Sequence, residues 1–356
     1  MLSIIVKSWN FTRDRYIYHK DPPHGIQHDL KLSLDEFYLF DPSINVDKIS
    51  SRQKTASSVP IERACRSMRR KHGSQEDPAY YSVCLSLNEE INQTIDLPRV
   101  IREKSFYEKY WPSDCLSNFF KYRNKLFHAY QEGYKSHPYI PYGGLTEWLY
   151  IISGSITVTL IQPTTKNLCK YSALSDDDSL EPEADTVNEL LLKEGNFLVI
   201  PAGWISIREA NRTTFAFGGE LLHDDNIIGQ LDAFNNDLAG LTSSCDPSCL
   251  EKDAEIRYMY WFYAIHLLNR TNALKHSIDV SIECLKSHLE QWKNRSAKLI
   301  RSKEPYVKPT AFVPPGIKAD IIVKDLQARQ SQFKRRSFKG TKDPIDVPKS
   351  HLGVDD

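Results

Sequence analysis

The sequence predicts a mainly β protein, with a closed or sandwiched sheet core and flanking helices, above all on the C-terminal side. Two observations predict this fold class. From residue 145 to residue 222, short runs of β-branched and apolar residues alternate with turns that contain glycine. After residue 222 the spacing of the apolar residues changes from two to about 3.6, the period of amphipathic helices. Strands followed by helices indicate a packed sheet core that helices support.

The first 111 residues divide into two predicted parts. Residues 1–58 are polar and aromatic with weak periodicity, so this N-terminal region is poorly defined by its sequence. Residues 59–111 lead into the core, with a helix predicted over 61–70. The segment PAYYSVCLSLNEE, at 78–90, has the β-formers and bounding turn residues of a strand. PRVIREKSFYEKYWP, at 98–112, is predicted as helix or loop.

Residues 112–225 form the predicted strand-rich centre. LTEWLYIISGSITVTLIQP, at 145–163, consists of two apolar runs around Ser153-Gly154-Ser155, which predicts a hairpin. The acidic segment SALSDDDSLEPEADTVNE, at 172–189, is predicted as a solvated loop between strands. Strands are predicted again over 190–222.

Three amphipathic helices are predicted in the helical region 226–300. Their apolar residues begin at Ile227, Ile256 and Ile278 and recur at helical spacing. Residues 301–356 are rich in proline and basic residues, which predicts a tail that is ordered only in part. The basic segments 66–72 and 334–340 could contact phosphates or acidic protein surfaces, or could simply be a solvated helix face and a tail.

Charge and cysteine content limit the function classes. Among the 356 residues, Lys plus Arg and Asp plus Glu both total 46, which argues against a globally cationic nucleic-acid binder. The seven cysteines are scattered, which indicates reduced thiols. No segment approaches the roughly 18 apolar residues of a membrane span, so we expect a soluble, intracellular protein.

Two segments fit a cupin-type, metal-binding barrel except at the ligands themselves. GNFLVIPAGWIS, at 195–206, has glycine, proline and glycine at the spacing that normally precedes a histidine, but that position is Ser206. An upstream strand normally supplies His-x-Asp or His-x-Glu, whose side chains face the same side. With the later histidine they form a facial triad that binds Fe(II) and leaves positions open. SHPYIPYGG, at 136–144, has Tyr139 and Pro141 instead.

Further motifs follow in the order typical of one family. PYGGLTEWLY, at 141–150, resembles an Asp-Phe-Gly-Gly-x-x-x-Trp-Tyr stretch, and SGSITVTLIQPTTKNL, at 153–168, resembles a hairpin ending in Pro-Pro-Thr-x-x-Asn-Leu. The pieces IPAGWI, FGG and LLHDDNI follow in order. Residues 78–268 thus resemble the JmjC proteins, closest to the histone lysine demethylases related to F-box and PHD-finger proteins. The resemblance implies a double-stranded β-helix, the cupin-like jelly roll, over 112–225.

The resemblance also implies where the functional residues of the family fall. The two metal-binding histidines correspond to Tyr139 and Ser206, and the metal-binding carboxylate to Pro141. The hydroxyl residue and the lysine that hold 2-oxoglutarate correspond to Ser136 and Ile156. Proline has no donor atom, serine is a poor neutral ligand, and tyrosine must first lose a proton with a pKa near 10. We therefore expect no cofactor, although the family uses Fe(II) and 2-oxoglutarate.

Neighbouring residues offer little compensation. His137 is expected to share a strand face with Tyr139, but a shifted site would lack a second histidine and an inward carboxylate. Glu147 follows the double-glycine bend at an odd spacing, so we expect it not to face the site. Tyr139 is expected to fill the vacated pocket and Ile156 to line it. Two tryptophans are predicted to be core residues: Trp148 and Trp204.

These considerations indicate a nuclear, chromatin-associated binding or regulatory protein that has lost catalysis. The resemblance implies contact with the histone H3 tail or other chromatin proteins, and Lys334, Arg335 and Arg336 could add contact with nucleic acid. No contact with a membrane is expected. Two alternatives stay open: an active Fe(II)- and 2-oxoglutarate-dependent histone demethylase with a displaced site, and a cupin-like module that binds another small ligand.

Overall fold

The computed structural model describes residues 16–20, 32–51, 56–69, 77–87, 93, 95–115, 117, 119–174, 179–241, 247–269, 278–302 and 308–340. The chain divides into two compact units, residues 1–263 and residues 264–356. Across the described residues, no helix combines the length and the apolar character that a membrane span requires.

The described strands all lie in the first unit. They are β1 (Ile17–His19), β2 (Asn45–Ser50), β3 (Ser57–Pro60), β4 (Ala79–Cys84), β5 (Leu126–Tyr130), β6 (Thr146–Ser153), β7 (Ser155–Ile161), β8 (Val187–Lys193), β9 (Phe197–Ile200), β10 (Ile205–Ala210) and β11 (Thr214–Leu221). One antiparallel sheet has the order β1-β9-β6-β11-β5-β4-β2-β3, and a second has the order β10-β7-β8.

The described helices flank these sheets and follow them along the chain. They are α1 (Leu34–Phe40), α2 (Ile61–Met68), α3 (Arg99–Lys104), α4 (Phe106–Tyr110), α5 (Phe119–Arg123), α6 (Thr165–Ser172), α7 (Ile227–Leu241), α8 (Pro247–Asn269), α9 (Ile278–Ser302) and α10 (Ala319–Gly340). Antiparallel sheets with flanking helices, including C-terminal ones, confirm the predicted fold class and agree with a jelly roll.

Two apolar cores cover the two faces of the larger sheet. One joins the inward residues of both sheets, among them Leu149 of β6 and Val158 of β7. The other joins the opposite face of the larger sheet to the N-terminal helices, and it includes Trp148 and Phe37. Trp148 and Trp204 are 2% and 1% exposed, which confirms the prediction that both are core residues. Because β6 lies between two cores, most of its residues are apolar on both faces.

The predicted hairpin around Gly154 is a corner between the two sheets. β6 pairs with β9 and β11, whereas β7 pairs with β8 and β10, so the two runs are not hydrogen-bonded to each other. Gly154 has φ of 89°, and an added Cβ there would overlap the backbone of Thr213. A corner and a hairpin both require a positive φ at this glycine, so the sequence pattern does not distinguish them.

One predicted boundary falls inside a strand. The boundary between residues 58 and 59 cuts β3, and β1 and β2, which precede it, belong to the larger sheet. β1 and β3 are edge strands of three and four residues, too short to show an alternating pattern.

In the acidic segment, β8 begins at Val187 after a 3₁₀ turn at Ala184–Thr186, and residues 175–178 lie outside the described residues.

The residues after 222, whose apolar positions recur with a period of about 3.6, do form helices. In the first unit Leu231 and Phe234 of α7 and Tyr260 of α8 are buried. In the second unit Leu285 and Leu289 of α9 are fully buried. The three predicted helices are therefore present, but α8 is not amphipathic, because residues 252–263 include no exposed residue.

Part of the predicted tail is helical. In the second unit α10 packs against α9, and Leu326 of α10 is fully buried. Lys334, Arg335 and Arg336 fall on α10, but their side chains lie outside the described residues, as do residues 341–356.

A buried histidine joins the end of β11 to the start of β6. The Asp225 N–H donates to His223 Nδ1 at 3.2 Å, which leaves Nε2 to donate to Thr146 Oγ1 at 2.9 Å. His223 is 0% exposed, and this burial lowers its pKa from 6.5 to about 3. The folded chain therefore takes up this proton less readily than the unfolded chain, so His223 lowers stability as the pH falls from 6.5 towards 3.

Replacing His223 with asparagine should weaken the acid sensitivity of the fold. In the wild-type protein this histidine should remove about 2 kcal/mol of unfolding free energy between pH 8 and pH 5. The variant lacks the titrating group, so the unfolding free energy that it loses between pH 8 and pH 5 should be smaller by this amount. Urea unfolding at both pH values measures the two differences. Equal losses in the wild-type protein and in His223→Asn would contradict the assignment.

Candidate functional site

A cleft of about 670 Å³ lies in the first unit, where inward residues of β4, β5, β6, β10 and β11 meet. Six of the lining residues are tyrosines: Tyr80, Tyr122, Tyr130, Tyr134, Tyr139 and Tyr171. The rings of Tyr80 and Tyr130 stack at 4.8 Å between centroids and make one wall. The cleft has the size of a small-molecule or side-chain site.

Two of the positions singled out from the sequence meet at this cleft. The Tyr139 N–H donates to the Ser206 carbonyl at 2.9 Å, and the Ser206 N–H donates to the Tyr139 carbonyl at 2.8 Å. The segment before Tyr139 therefore lies along β10, and Ser206, which is 1% exposed, faces the cleft.

The Tyr139 hydroxyl is held by a carboxylate. Although 37% of Tyr139 is exposed, its hydroxyl donates to Glu220 Oε1 at 2.7 Å, and the other oxygen of Glu220 pairs with Arg123 at 2.5 Å. Burial of the hydroxyl, with Glu220 beside it, raises the pKa of Tyr139 well above 10. The hydroxyl therefore stays protonated near neutral pH.

The other three predicted positions differ in where they lie. Ser136 lines the cleft, and its Oγ accepts a hydrogen bond from the Arg208 N–H at 2.9 Å. Pro141 is buried before the 3₁₀ turn Tyr142–Gly144 and is not among the residues that line the cleft. Ile156 also lies away from the cleft, because it is fully buried in the core between the sheets. The expectation that Ile156 lines an emptied pocket plugged by Tyr139 is thus wrong.

Glu147 faces the cleft, contrary to the expectation from its spacing. Trp148, its neighbour on β6, points to the core between the larger sheet and the N-terminal helices. Successive side chains of a strand alternate, so Glu147 points to the other face. There Glu147 forms an ion pair with Arg208 of β10, and both side chains are less than a tenth exposed. Arg208 Nη1 also donates to the Tyr130 hydroxyl at 2.9 Å. Burial raises the pKa of Glu147, and the adjacent Arg208 opposes this rise.

Two histidines also line the cleft. His128 of β5 is 2% exposed, and its Nδ1 lies 2.6 Å from the Tyr80 hydroxyl. Burial, with Arg208 nearby, lowers the pKa of His128 from 6.5 to about 3, so the ring is neutral. His137 lines the cleft two residues before Tyr139, as its spacing predicts. Both rings have a buried Nε2 without a hydrogen-bond partner among the described residues.

The donor set does not fit an Fe(II) centre of two histidines and a carboxylate. Pro141 has no donor, Ser206 is a neutral hydroxyl, and Tyr139 keeps its proton. The inward carboxylates, Glu147 and Glu220, are each engaged by an arginine. Within the described part of the chain, no three His, Cys, Asp or Glu residues are grouped so that they could hold a metal ion.

The position implied for the lysine that holds 2-oxoglutarate offers no charge. A buried dicarboxylate needs a cation for its distal end, and Ile156 supplies none. Arg123 and Arg208, the arginines that line the cleft, already pair with glutamates.

Known proteins similar in sequence include lysine demethylases. The chain is 25% identical over 248 residues to histone lysine demethylase PHF8 of Danio rerio, a match covering 66% of this chain and 23% of that protein. It is 24% identical over 249 residues to human lysine-specific demethylase 7A, a match covering 66% of this chain and 25% of that protein. It is 23% identical over 275 residues to lysine-specific demethylase 7B of Danio rerio, covering 73% and 44%.

The chain is related to the JmjC histone lysine demethylases. It spans about a quarter of the length of the first of these relatives. Among solved structures, the ribosomal oxygenase YcfD of Escherichia coli is similar with a TM-score of 0.39 and 11% identity, covering 69% of this chain and 68% of that one. No model of a known protein family matches the sequence.

Sequence reasoning missed the charged residues of this JmjC-related cleft. Arg208 could have been found from its spacing, because it lies two residues after Ser206 on the same strand face. Glu147 stands out as a charge in an otherwise apolar strand. Glu220 and Arg123 gave no local signal, because their pairing depends on strands and helices distant in sequence.

The basic segment 66–72 is partly used in local ion pairs. Arg66 pairs with Glu62 one helical turn away, and Arg69 pairs with Asp35 at 2.8 Å. Residues 70–72 lie outside the described residues. The described part of this segment thus matches a solvated helix face.

Proposed function

We propose that this chain works in the nucleus as a chromatin-associated binding or regulatory protein that no longer carries out oxidative demethylation. One observation carries the proposal: the cleft holds a protonated Tyr139 and a Ser206 at the positions implied for the metal histidines, beside an Arg208–Glu147 ion pair. Without a donor set for Fe(II), the chain has no means to activate oxygen at this site.

The charge and aromatic content of the cleft support a basic partner. Its lining includes five acidic residues, Asp47, Glu147, Glu220, Glu251 and Glu255, and three basic ones, Arg123, Arg208 and Lys252, an excess of two negative charges. Tyrosine faces attract cations such as ammonium groups. Since one relative is named as a histone lysine demethylase and another as a lysine-specific demethylase, we propose a histone tail, that of H3 first, as the segment that binds here.

Binding to nucleosomes by the full-length chain tests this proposal. Tyr122 lines the cleft and is 44% exposed, whereas Phe40 is 54% exposed on α1, away from the cleft. The wild-type protein should bind nucleosomes and H3-tail peptides, and Tyr122→Ala should weaken binding at least several-fold because it removes an aromatic face. Phe40→Ala, a matched exposed aromatic, should bind as the wild type does. No binding by the wild-type chain, or equal weakening in both variants, would overturn the proposal.

Contact with nucleic acid through Lys334, Arg335 and Arg336 is a further part of this proposal. Nucleosome affinity should depend less steeply on salt for each cation–phosphate interaction that a substitution removes. Replacing the three residues with glutamine should therefore reduce the salt slope by about two to three. An unchanged slope would remove nucleic acid from the proposal and leave the histone tail.

A second candidate function is the binding of a small molecule. It is favoured by the open cleft of about 670 Å³, which lies within the range of roughly 300–1,000 Å³ typical of such sites. Native mass spectrometry of the purified chain should then detect a bound small molecule that is released on denaturation. A ligand-free mass, with nucleosome binding intact, would favour the first candidate.

A further inference from the structure

Two buried carboxylates stand next to each other in the cleft. Glu147 of β6 and Glu220 of β11 are direct partners in the register of these antiparallel strands, and both side chains are 5% exposed. Directly opposite residues on a sheet face have Cβ atoms about 4.5–5.5 Å apart, and like charges at that distance destabilise a sheet. Such a pair needs compensating positive charge.

Two arginines supply that charge from different elements. Arg208 reaches Glu147 from β10 of the smaller sheet, and Arg123 reaches Glu220 from the end of α5. Tyr139 adds a hydrogen bond to Glu220, and Tyr130 accepts one from Arg208. Two carboxylates and two guanidinium groups therefore balance each other at the centre of the cleft.

Arg208 holds its charge close to the position implied for a metal ligand. It lies two residues after Ser206 on the same face of β10, a rise of about 7 Å along the strand. Its side chain is 9% exposed and fixed by Glu147 and Tyr130. A divalent cation near Ser206 would meet a positive charge that is fixed in place and largely removed from solvent, and the two would repel each other.

We propose that Arg208 takes the electrostatic place of a metal ion in this cleft. Together with Arg123 it balances the paired glutamates, and its ion pair with Glu147 joins the two sheets without a metal ion. The same charge opposes a divalent cation, so restoring the ligand residues at 139, 141 and 206 does not by itself restore a metal site. The inference rests on the loss of metal chemistry in the proposed function, but it concerns what replaced that chemistry.

Thermal unfolding of the full-length chain tests the first half of the inference. Arg208→Met leaves Glu147 buried and unpaired, and should lower Tm by about 10 °C. Adding Glu147→Gln removes the unpaired charge and should recover at least half of this decrease. Arg212→Met, which changes an exposed arginine on the following turn, should leave Tm within about 2 °C. An unchanged Tm in Arg208→Met, or a double variant no more stable than it, would overturn the inference.

Titration with Co²⁺, followed by its visible absorption, tests the second half. The variant Tyr139→His/Pro141→Asp/Ser206→His should bind Co²⁺ at least tenfold more weakly than the same variant with Arg208→Met added, because only the positive charge is removed. Equal affinities would overturn the inference. If the restored variants lack the circular dichroism of the folded chain, the unfolding series alone decides. Demethylation by the wild-type chain would refute the proposed function and leave the unfolding series intact, which keeps the two failures distinct.

Discussion

Replacing Ile156 with lysine is expected to destabilise the first unit by about 4–5 kcal/mol. The JmjC resemblance implies a lysine here that pairs with a co-substrate, but Ile156 is 0% exposed and packs in the core between the sheets. A lysine at this depth is held neutral, and removing its proton at pH 7 against a normal pKa near 10.4 costs about this amount. Since domains are stable by about 5–15 kcal/mol, the loss is a large share of the total.

Urea unfolding of the full-length variants measures this effect. Ile156→Met, a substitution of similar volume without charge, should cost less than about 1.5 kcal/mol and serves as the matched control. The lysine variant should also gain no affinity for 2-oxoglutarate, because position 156 does not line the cleft. A lysine variant as stable as the methionine variant, with 2-oxoglutarate bound, would contradict this placement of Ile156.

Gly144→Ala is expected to cost about 3 kcal/mol or more. Gly144 has φ of 70°, where a non-glycine residue is strained by about 1–2 kcal/mol. An added Cβ would also overlap the backbone carbonyl of Gln230 on α7. Gln230 cannot easily yield, because its buried side chain holds the N–H and the carbonyl of His223 at 3.0 and 2.7 Å. Overpacking of this kind adds about 1–3 kcal/mol.

A second glycine separates the cost of the backbone conformation from the cost of steric overlap. Gly195 has φ of 84°, but its added Cβ would meet only Lys20 O at 3.9 Å. Gly195→Ala should therefore show the conformational cost alone, about 1–2 kcal/mol. Urea unfolding of both variants gives the difference. Equal losses of stability would mean that the Gly143-Gly144 bend does not pack tightly against α7.

The local pattern of polar and apolar residues predicted most of the fold. The strands from 146 to 221 and the helices after residue 222 follow hydrophobic periods of 2 and 3.6, which local sequence records directly. β1 and β3 were not predicted, because short edge strands show little alternation of polar and apolar residues. The turn at Gly154 predicts a hairpin and forms a corner, because pairing partners are set by the whole sheet and not by the turn.

The candidate site was predictable where it rests on motif order. Tyr139 and Ser206 meet as the motifs imply, because both are fixed by strand landmarks such as Gly203 and Trp148. The charges were not predicted, since Arg208 and Glu147 are joined across two sheets by tertiary contact. The prediction for Ile156 is wrong because this residue, although it is on the inward face of β7, is enclosed in the core between the sheets and does not reach the cleft.

Metal analysis combined with 2-oxoglutarate turnover tests the central claim, that the JmjC fold is kept here without its chemistry. Full-length protein, purified and then supplied with Fe(II), 2-oxoglutarate and ascorbate, would be assayed for succinate with and without methylated histone H3 peptides. An active JmjC demethylase serves as the positive control. We predict no bound iron and no succinate above the level without protein. Iron bound in a one-to-one ratio, with succinate release that depends on methylated peptide, would contradict the claim and establish the active enzyme with a displaced site.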